Sequence, residues 1–330
     1  MQLRRFTAAL AAAAVAGTFG WLASSPAPAL RQGPLIVNLP PHEGVLGISR
    51  HLAEAGVVRD PATFVIVVLL RGSTRHLKAG EYEVPRDATP WDVAVLVESG
   101  RVRQHLVLHP EGASVAELGH VLQGEGLATA EAVARTASDP KFLQSQGIEA
   151  TSAEGYLFPD TYQFVRGMTT EEMLGRMVQR LHAKLTPELR ARARARGLSV
   201  HQLLTLASII EREAVDRSEM RLISAVFWNR LHRDMPLQAD PTVQYAVAKE
   251  RRALTRADLA IDHPYNTYRH TGLPPGPIAS PGLGAIEAAL DPAPVDYLYF
   301  VKRDDRRHHF STTVGEHNAA VARYRRLSRR

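Results

Sequence analysis

Residues 199–214 read Ser-Val-His-Gln-Leu-Leu-Thr-Leu-Ala-Ser-Ile-Ile-Glu-Arg-Glu-Ala, and they restrict the fold more than any other stretch. Ser199 is a good helix N-cap, and Gln202 three residues on completes a capping-box pattern. Apolar residues follow at 200, 203, 204, 206, 207, 209 and 210. That spacing is too dense for a surface stripe and predicts a mostly buried helix, around which other elements must pack. Glu211 ends the run. An ionised carboxylate is costly to bury, so it needs a partner, a raised pKa or a function. Helical offsets put Glu211 on a face with Leu204, Ala207, Ser208, Ala214 and Val215, none of which offers a cation. Its neighbours read differently: Glu213 has Arg217 four residues on, and Arg212 has Asp216, so ordinary surface ion pairs are expected for both.

The chain has 330 residues, enough for one large domain or two, and 45% hydrophobic residues, enough for a real core. It has no cysteine, which excludes disulfides, thiol catalysis and cysteine-zinc sites. No His-Glu-x-x-His helix occurs among the 14 histidines, and adjacent His308 and His309 read as loop or strand residues. Neither a metal nor a cofactor is expected. The net charge of +6 is concentrated at Arg190, Arg192, Arg194 and Arg196 and at Arg323, Arg325, Arg326, Arg329 and Arg330. Without aromatic-basic interleaving, this suggests a solvated face or attraction to an anionic wall or membrane, and no nucleic-acid partner. At the N-terminus, Arg4 and Arg5 precede an uncharged stretch from Phe6 through Leu30. Residues 1–30 are read as a signal anchor forming a weakly hydrophobic transmembrane segment, with the basic end kept in the cytoplasm and the bulk exported. The small-residue pattern Ala27-Pro28-Ala29 leaves a cleaved secretory signal as the competing reading.

Expected strands are Leu35–Leu39, Gln104–Leu108 and Tyr297–Val301. Helices are expected around Gly47–Ala55 and from Thr89-Pro90 to Ser99, where a capping threonine, a proline at the first helical position and Gly100 as a stop agree. Phe64–Leu70 is valine- and isoleucine-rich like a buried strand, but Asp60-Pro61 also permits a helix start, and periodicity leaves both open. Beyond His109-Pro110-Glu111-Gly112 the chain reads as predominantly helical to about 250, with an arginine-rich helix opened by Pro187 and closed by Gly197. Asp216 and Glu219 suggest a second capping box, opening a helix through Leu231. Residues 262–294, rich in proline and glycine, read as ordered loop.

Three further segments carry polar and aromatic groups: Glu154-Gly155-Tyr156-Leu157-Phe158-Pro159-Asp160-Thr161-Tyr162; Leu237-Gln238-Ala239-Asp240-Pro241-Thr242-Val243-Gln244-Tyr245; and Tyr265-Asn266-Thr267-Tyr268 before Gly272-Leu273-Pro274-Pro275-Gly276-Pro277-Ile278. Each alone could be a structural loop. Together with Ala207–Glu211, and with His308-His309-Phe310-Ser311-Thr312-Thr313 and His317-Asn318, their order and spacing resemble the YceG-like endolytic murein transglycosylases. The resemblance spans roughly 35–325 and is strongest over 154–318. It departs where the turn before the His-His-Phe motif, often glycine-rich in that family, reads Arg303-Asp304-Asp305-Arg306-Arg307.

The resemblance implies an α+β fold: an N-terminal membrane anchor (1–30), a small LysM-like α/β region (31–103) and a larger, mostly helical catalytic region with a short sheet (104–330). It implies a single-pass protein of the inner (cytoplasmic) membrane with its catalytic region on the outer side, cutting peptidoglycan glycan strands internally beside the glycan-polymerising synthases and ending nascent strands. The catalytic acid falls on Glu211. Glu154, Tyr156, Asp160, Gln238, Asp240, Asn266 and Tyr268 become candidates for holding sugar.

Cleaving a glycosidic bond needs an acid that keeps its proton near neutral pH, and apolar surroundings raise a carboxyl pKa accordingly. A hydrolase also needs a second carboxylate. Glu213 points to a different side of the helix, leaving Asp160 or Asp240 for a muramidase-type alternative. A lytic transglycosylase needs one acid only, which suits a lone Glu211. A non-catalytic wall-binding protein is the alternative outside the enzymes.

Overall fold

The computed structural model describes residues 2–27, 33–249 and 252–327. Its elements divide into two units, one holding the chain to Leu106 together with Gln163–Met168, the other Val107–Tyr162 and the chain from Thr169 onward.

The first unit contains α1 (Gln2–Ser24), β1 (Leu35–Leu39), α2 (Val45–Glu54), α3 (Pro61–Leu70), β2 (Gly80–Val84) and α4 (Pro90–Ser99). β1 and β2 pair antiparallel, with Leu35 opposite Val84 and Leu39 opposite Gly80. Strand alternation turns Val37 and Leu39 inward beside Tyr82 and Val84, while Ile36 faces solvent. Leu52, Phe64, Val67, Val93 and Val97 complete this core. Each such side chain contributes about 1.5–3 kcal/mol on full burial.

The ambiguous run at 64–70 is helical. Asp60 accepts the Thr63 N–H at 2.8 Å and Pro61 occupies the first turn, so capping outweighs the β-branched composition. Phe64, Val67 and Val68 then fall on one buried face. α4 starts as expected, with a reciprocal capping box between Thr89 and Asp92.

Phe19 and Ala23 of α1 pack against the core of this unit. No described helix is long and apolar enough to cross a membrane, so the expected transmembrane segment does not appear among the described residues. The helix exists, but alanine, glycine and threonine supply little apolar surface per residue. The side chains of Arg4, Arg5 and Arg325, and positions 28, 29, 329 and 330, lie outside the described residues.

The division between units falls within β3 (Gln104–His109) and β4 (Asp160–Val165), which form a two-stranded sheet. Between them lie α5 (Val115–Gly124), α6 (Ala130–Ala137) and α7 (Pro140–Ser145). The second unit continues with α8 (Thr170–Lys184), α9 (Pro187–Ala195), α10 (Val200–Glu213), α11 (Met220–Leu231), α12 (Asp240–Ala246), α13 (Arg256–Leu259) and α14 (Leu283–Leu290). A hairpin of β5 (Tyr299–Lys302) and β6 (His308–Ser311) leads to α15 (Val314–Leu327). The architecture is thus mixed α+β, about half helical, with short sheets.

α10 is the buried helix that its sequence requires: Leu203 through Ile210 are all buried, and α9, α11, α12 and α14 pack around it. Two elements depart from expectation. β4 was hidden in an acid-and-aromatic loop, because only Tyr162 and Phe164 of it face inward. α14 lies inside the proline- and glycine-rich stretch, and it is apolar on most sides because it packs on both α10 and α11. The capping box expected at Asp216 also forms only in half. Asp216 accepts the Ser218 N–H at 3.0 Å, but Glu219 instead accepts the His308 N–H at 3.1 Å. In the basic turn before β6, Asp304 Oδ1 accepts the N–H groups of Arg306 and Arg307 at 2.9 Å each, doing by side-chain hydrogen bonding what glycine does by backbone freedom.

Candidate active site

Glu211 lies in the last turn of α10, where the helix leaves the core, and is only partly accessible. The helix stops at Glu213, and Ala214 turns extended at φ −80°, ψ 103°. The offset-of-four geometry expected across this point is lost, since it requires the helix to continue, and the groups meet other partners. Arg212 Nη1 donates to the Gly112 carbonyl at 3.2 Å, Asp216 pairs with Arg307, and Arg217 pairs with Glu111. Val215 is exposed instead of extending the Glu211 face.

The Gly282 N–H donates to Glu211 Oε2 at 2.9 Å. Among the described residues Glu211 makes no ion pair. Burial raises its pKa, and the Gly282 hydrogen bond opposes that shift in part.

Two backbone segments bracket the carboxylate. The Gly112 N–H donates to the Ser280 carbonyl, and the Ser280 N–H to the Ala113 carbonyl, both at 2.8 Å. His109 Nε2 lies 2.9 Å from Ser280 Oγ. Gly112 adopts φ +74°, and a Cβ there would stand 3.6 Å from Glu211 Cγ, so the turn runs directly against the acid. On the other side, the Glu111 carboxylate packs against Gly282 where a Cβ would stand.

The motif segments converge on the same helix. Ser208 Oγ accepts the Ile278 N–H at 3.1 Å. His201 Nε2 lies 2.7 Å from the Pro275 carbonyl, and its Nδ1 lies 2.9 Å from Tyr156 Oη, which ties the 154–162 loop and the Pro-Pro-Gly-Pro loop to α10. Thr267 receives the N–H groups of Gln238 and Ala239 at 3.0 Å each, and Tyr268 Oη donates to Asp240 Oδ1 at 2.5 Å. The result is a half-buried acid held by a neutral donor, beside loops rich in polar groups.

The YceG-like family matches this chain over residues 37–323.

The chain belongs to the YceG-like family.

It is 32% identical over 304 residues to the endolytic murein transglycosylase of Bacillus subtilis strain 168, covering 87% of this chain and 84% of that protein. It is also 32% identical over 321 residues to the endolytic murein transglycosylase of Streptococcus pneumoniae serotype 2 strain D39, of whose greater length it spans 58%. A crystal structure of a yceG-like protein from Listeria monocytogenes superposes with a TM-score of 0.62 at 32% identity, covering 88% of this chain and 99% of that one.

Within this YceG-like chain the other candidate residues separate into two groups. Gln238 and Tyr268 line a pocket of about 470 Å³ with Arg230, Tyr299 and His317. Asp240 stands beside it through its bond to Tyr268, whose pKa burial and this hydrogen bond both raise. Tyr156 is buried and serves through His201. The rest are occupied elsewhere. Glu154 is buried, and its carboxylate accepts the Val115 N–H at the start of α5. Asp160 is engaged by the Thr161 N–H and by Arg180 at 2.7 Å, which hold its carboxyl below the ordinary range. Asn266 is 0% exposed, with its amide donating to the carbonyls of Leu259 and Ile261 and its Oδ1 accepting the Tyr268 N–H. Glu154 and Asn266 both serve buried loop backbone, whose N–H and C=O groups must find partners inside the core.

Sequence reasoning passed over other groups. Glu213 is partly accessible as a residue, yet burial of its carboxyl and the nearby Asp240 charge push it up to about 8. Arg230 is buried in α11, donating to the Leu298 and Leu237 carbonyls and to Gln238 Oε1. Glu213 reads in the sequence as half of a surface ion pair with Arg217, and an arginine near a helix end reads as surface, so neither residue stood out. Among the described residues no group of three or more His, Asp or Glu is arranged to hold a metal.

Proposed function

We propose that the chain is an endolytic lytic transglycosylase. It cleaves the MurNAc–GlcNAc glycosidic bond within peptidoglycan strands and leaves 1,6-anhydro-MurNAc ends. The reading is supported by membership of the YceG-like family and by the endolytic murein transglycosylases that resemble it over most of its length. The observation that carries the choice of Glu211 is its partial burial against a neutral amide. Such a setting favours the protonated acid without preventing ionisation.

Glu211 protonates the bridging oxygen as the bond to C1 breaks. As carboxylate, it then takes the proton of the sugar's own 6-hydroxyl, whose oxygen closes on C1. Water is not a reactant. Such acid-base catalysis contributes roughly 10²–10⁴-fold, with positioning and charge stabilisation supplying the remainder. The lyase route is favoured over hydrolysis because the relatives that this chain resembles are murein transglycosylases, and because Glu211 can serve as both acid and base, while Asp160 is paired with Arg180 and Asp240 with Tyr268. Gln238 and Tyr268, in the 470 Å³ pocket, are the groups we assign to sugar hydroxyls.

The region 31–103 is read as LysM-like and glycan-holding. The order β1-α2-α3-β2, with the two strands paired antiparallel, supports that reading. We place the enzyme at the outer side of the cytoplasmic membrane beside the synthases, where it ends nascent strands. Its support is the location of the substrate and the basic-then-apolar N-terminal segment.

The test is Glu211→Gln digested against purified sacculi. The variant folds and releases no anhydro-ended fragments by mass spectrometry. Wild-type amounts of such ends would end the assignment, and products heavier by one water per cut would restore the hydrolase.

A further inference from the structure

The turn His109-Pro110-Glu111-Gly112 has so far served as scaffold, but its acid occupies a particular place. Glu111 packs one carboxylate oxygen against Gly282, the residue whose N–H holds Glu211. Its other oxygen, Oε2, is buried without a well-directed hydrogen bond and is compensated by the charge of Arg217. The next residue, Gly112, lies against Glu211 Cγ. An ion pair therefore stands one glycine away from the acid. The Oε1 side of Glu111 and Glu211 Oε2 are within roughly 7 Å, given ordinary backbone dimensions around Gly282.

We propose that Glu111 is a positioning residue for Glu211: it fixes the Gly282 amide on the catalytic carboxyl and neutralises Arg217, so that no uncompensated cation acts on the acid. This rests on Glu211 being the catalytic acid. The pair matters because Arg217 is the cation that meets the Glu111 carboxylate beside Gly282. The other charged or titratable groups on surrounding elements are His201, Arg212 and Glu213 on α10, Glu188, Arg190, Arg192 and Arg194 on α9, Arg221 and Arg230 on α11, Asp240 on α12, Glu287 on α14, and His109 in the turn itself. Arg212 is turned to the Gly112 carbonyl, Arg221 to Asp291, and Asp240 to Tyr268.

The consequence has a sign. Glu111→Gln removes a negative charge and leaves Arg217 unbalanced, which favours ionised Glu211. The alkaline limb of kcat/KM, which reports the acid in the free enzyme, then moves to lower pH. Arg217→Gln leaves Glu111 unbalanced and moves the same limb to higher pH. Shifts of about half to one pH unit follow for a unit charge at this range in a partly screened site. Glu111→Asp keeps the charge and shifts less than Gln, and the double variant returns close to wild type.

The experiment measures anhydro-end release from sacculi against pH for Glu111→Gln, Glu111→Asp, Arg217→Gln and the double variant, with thermal melts as the folding control. Opposite shifts with mutual compensation support the proposal. Uniform loss of activity with unshifted limbs, or shifts of the same sign, overturns it and makes the pair structural. Glu211→Gln is run alongside. If that variant keeps its activity, the assignment of Glu211 fails and this inference fails with it. If it is inactive while the other limbs stay fixed, only this inference fails.

Discussion

The backbone N–H of Gly282 donates to Glu211 Oε2 across 2.9 Å, so the acid at the end of α10 is held by a neutral dipole and not by a cation. A cation would lock the carboxylate in its ionised form. A single amide stabilises that form only modestly, while burial works in the opposite direction. A group that must give up a proton and then recover one is served by that balance.

Gly282→Ala tests the close approach. A Cβ there collides with the Glu111 carboxylate, so the Glu111 side chain must give up its place against Gly282. Activity on sacculi falls by about tenfold, near 1.4 kcal/mol in the barrier. Gly284→Ala is the control, since its Cβ meets Met220 Sδ at an ordinary 3.7 Å. In the first turn of α14 that change leaves activity intact and does not lower stability.

Glu211→Gln is expected to unfold at a higher temperature than the wild type at neutral and alkaline pH. The folded-state pKa of Glu211 lies above its unfolded value, so its contribution to stability is present at low pH and is lost as pH rises through the folded value. The amide has no such loss. Melting curves at acid and alkaline pH check the sign: a variant less stable than wild type at high pH would contradict the burial argument.

His109 predicts the reverse dependence. Burial lowers its pKa to about 4, so the unfolded chain binds the extra proton between about pH 4 and 6.5. Stability falls as pH is lowered through that window, by on the order of 3 kcal/mol from this residue. His109→Gln removes that component. Urea unfolding of both proteins at a series of pH values measures it.

Asn266→Ala is expected to act on folding. It leaves the Leu259 and Ile261 carbonyls and the Tyr268 N–H without their buried partner. The cost is about 2–4 kcal/mol, seen as a lower urea midpoint. A variant with unchanged stability and a raised KM would instead return Asn266 to the sugar site.

Capping and periodicity exposed much of the fold. The buried α10, the caps at Thr89 and Ser199, and the strand β1 all follow from local patterns whose energies act within a few residues. The run at 64–70 could not be assigned from apolar pattern alone, because a buried helix and a buried strand look alike there. Asp60 and Pro61 decided it only through the cap geometry they adopt. α14 and β4 escaped notice because short elements inside loop-like composition are stabilised by what packs on them.

For the site, the sequence by itself placed Glu211 after a buried apolar helical run, and the family resemblance grouped three polar loops with it. Tertiary structure decided which of those polar groups remain available. Glu154 and Asn266 were drawn into satisfying buried backbone, Gln238 and Tyr268 were left at a pocket, and Arg217 crossed to Glu111 once α10 ended at Glu213. A side chain's type is written in the sequence. Its hydrogen-bond partners are fixed by which distant carbonyls and amides the fold buries beside it, and no local pattern records that.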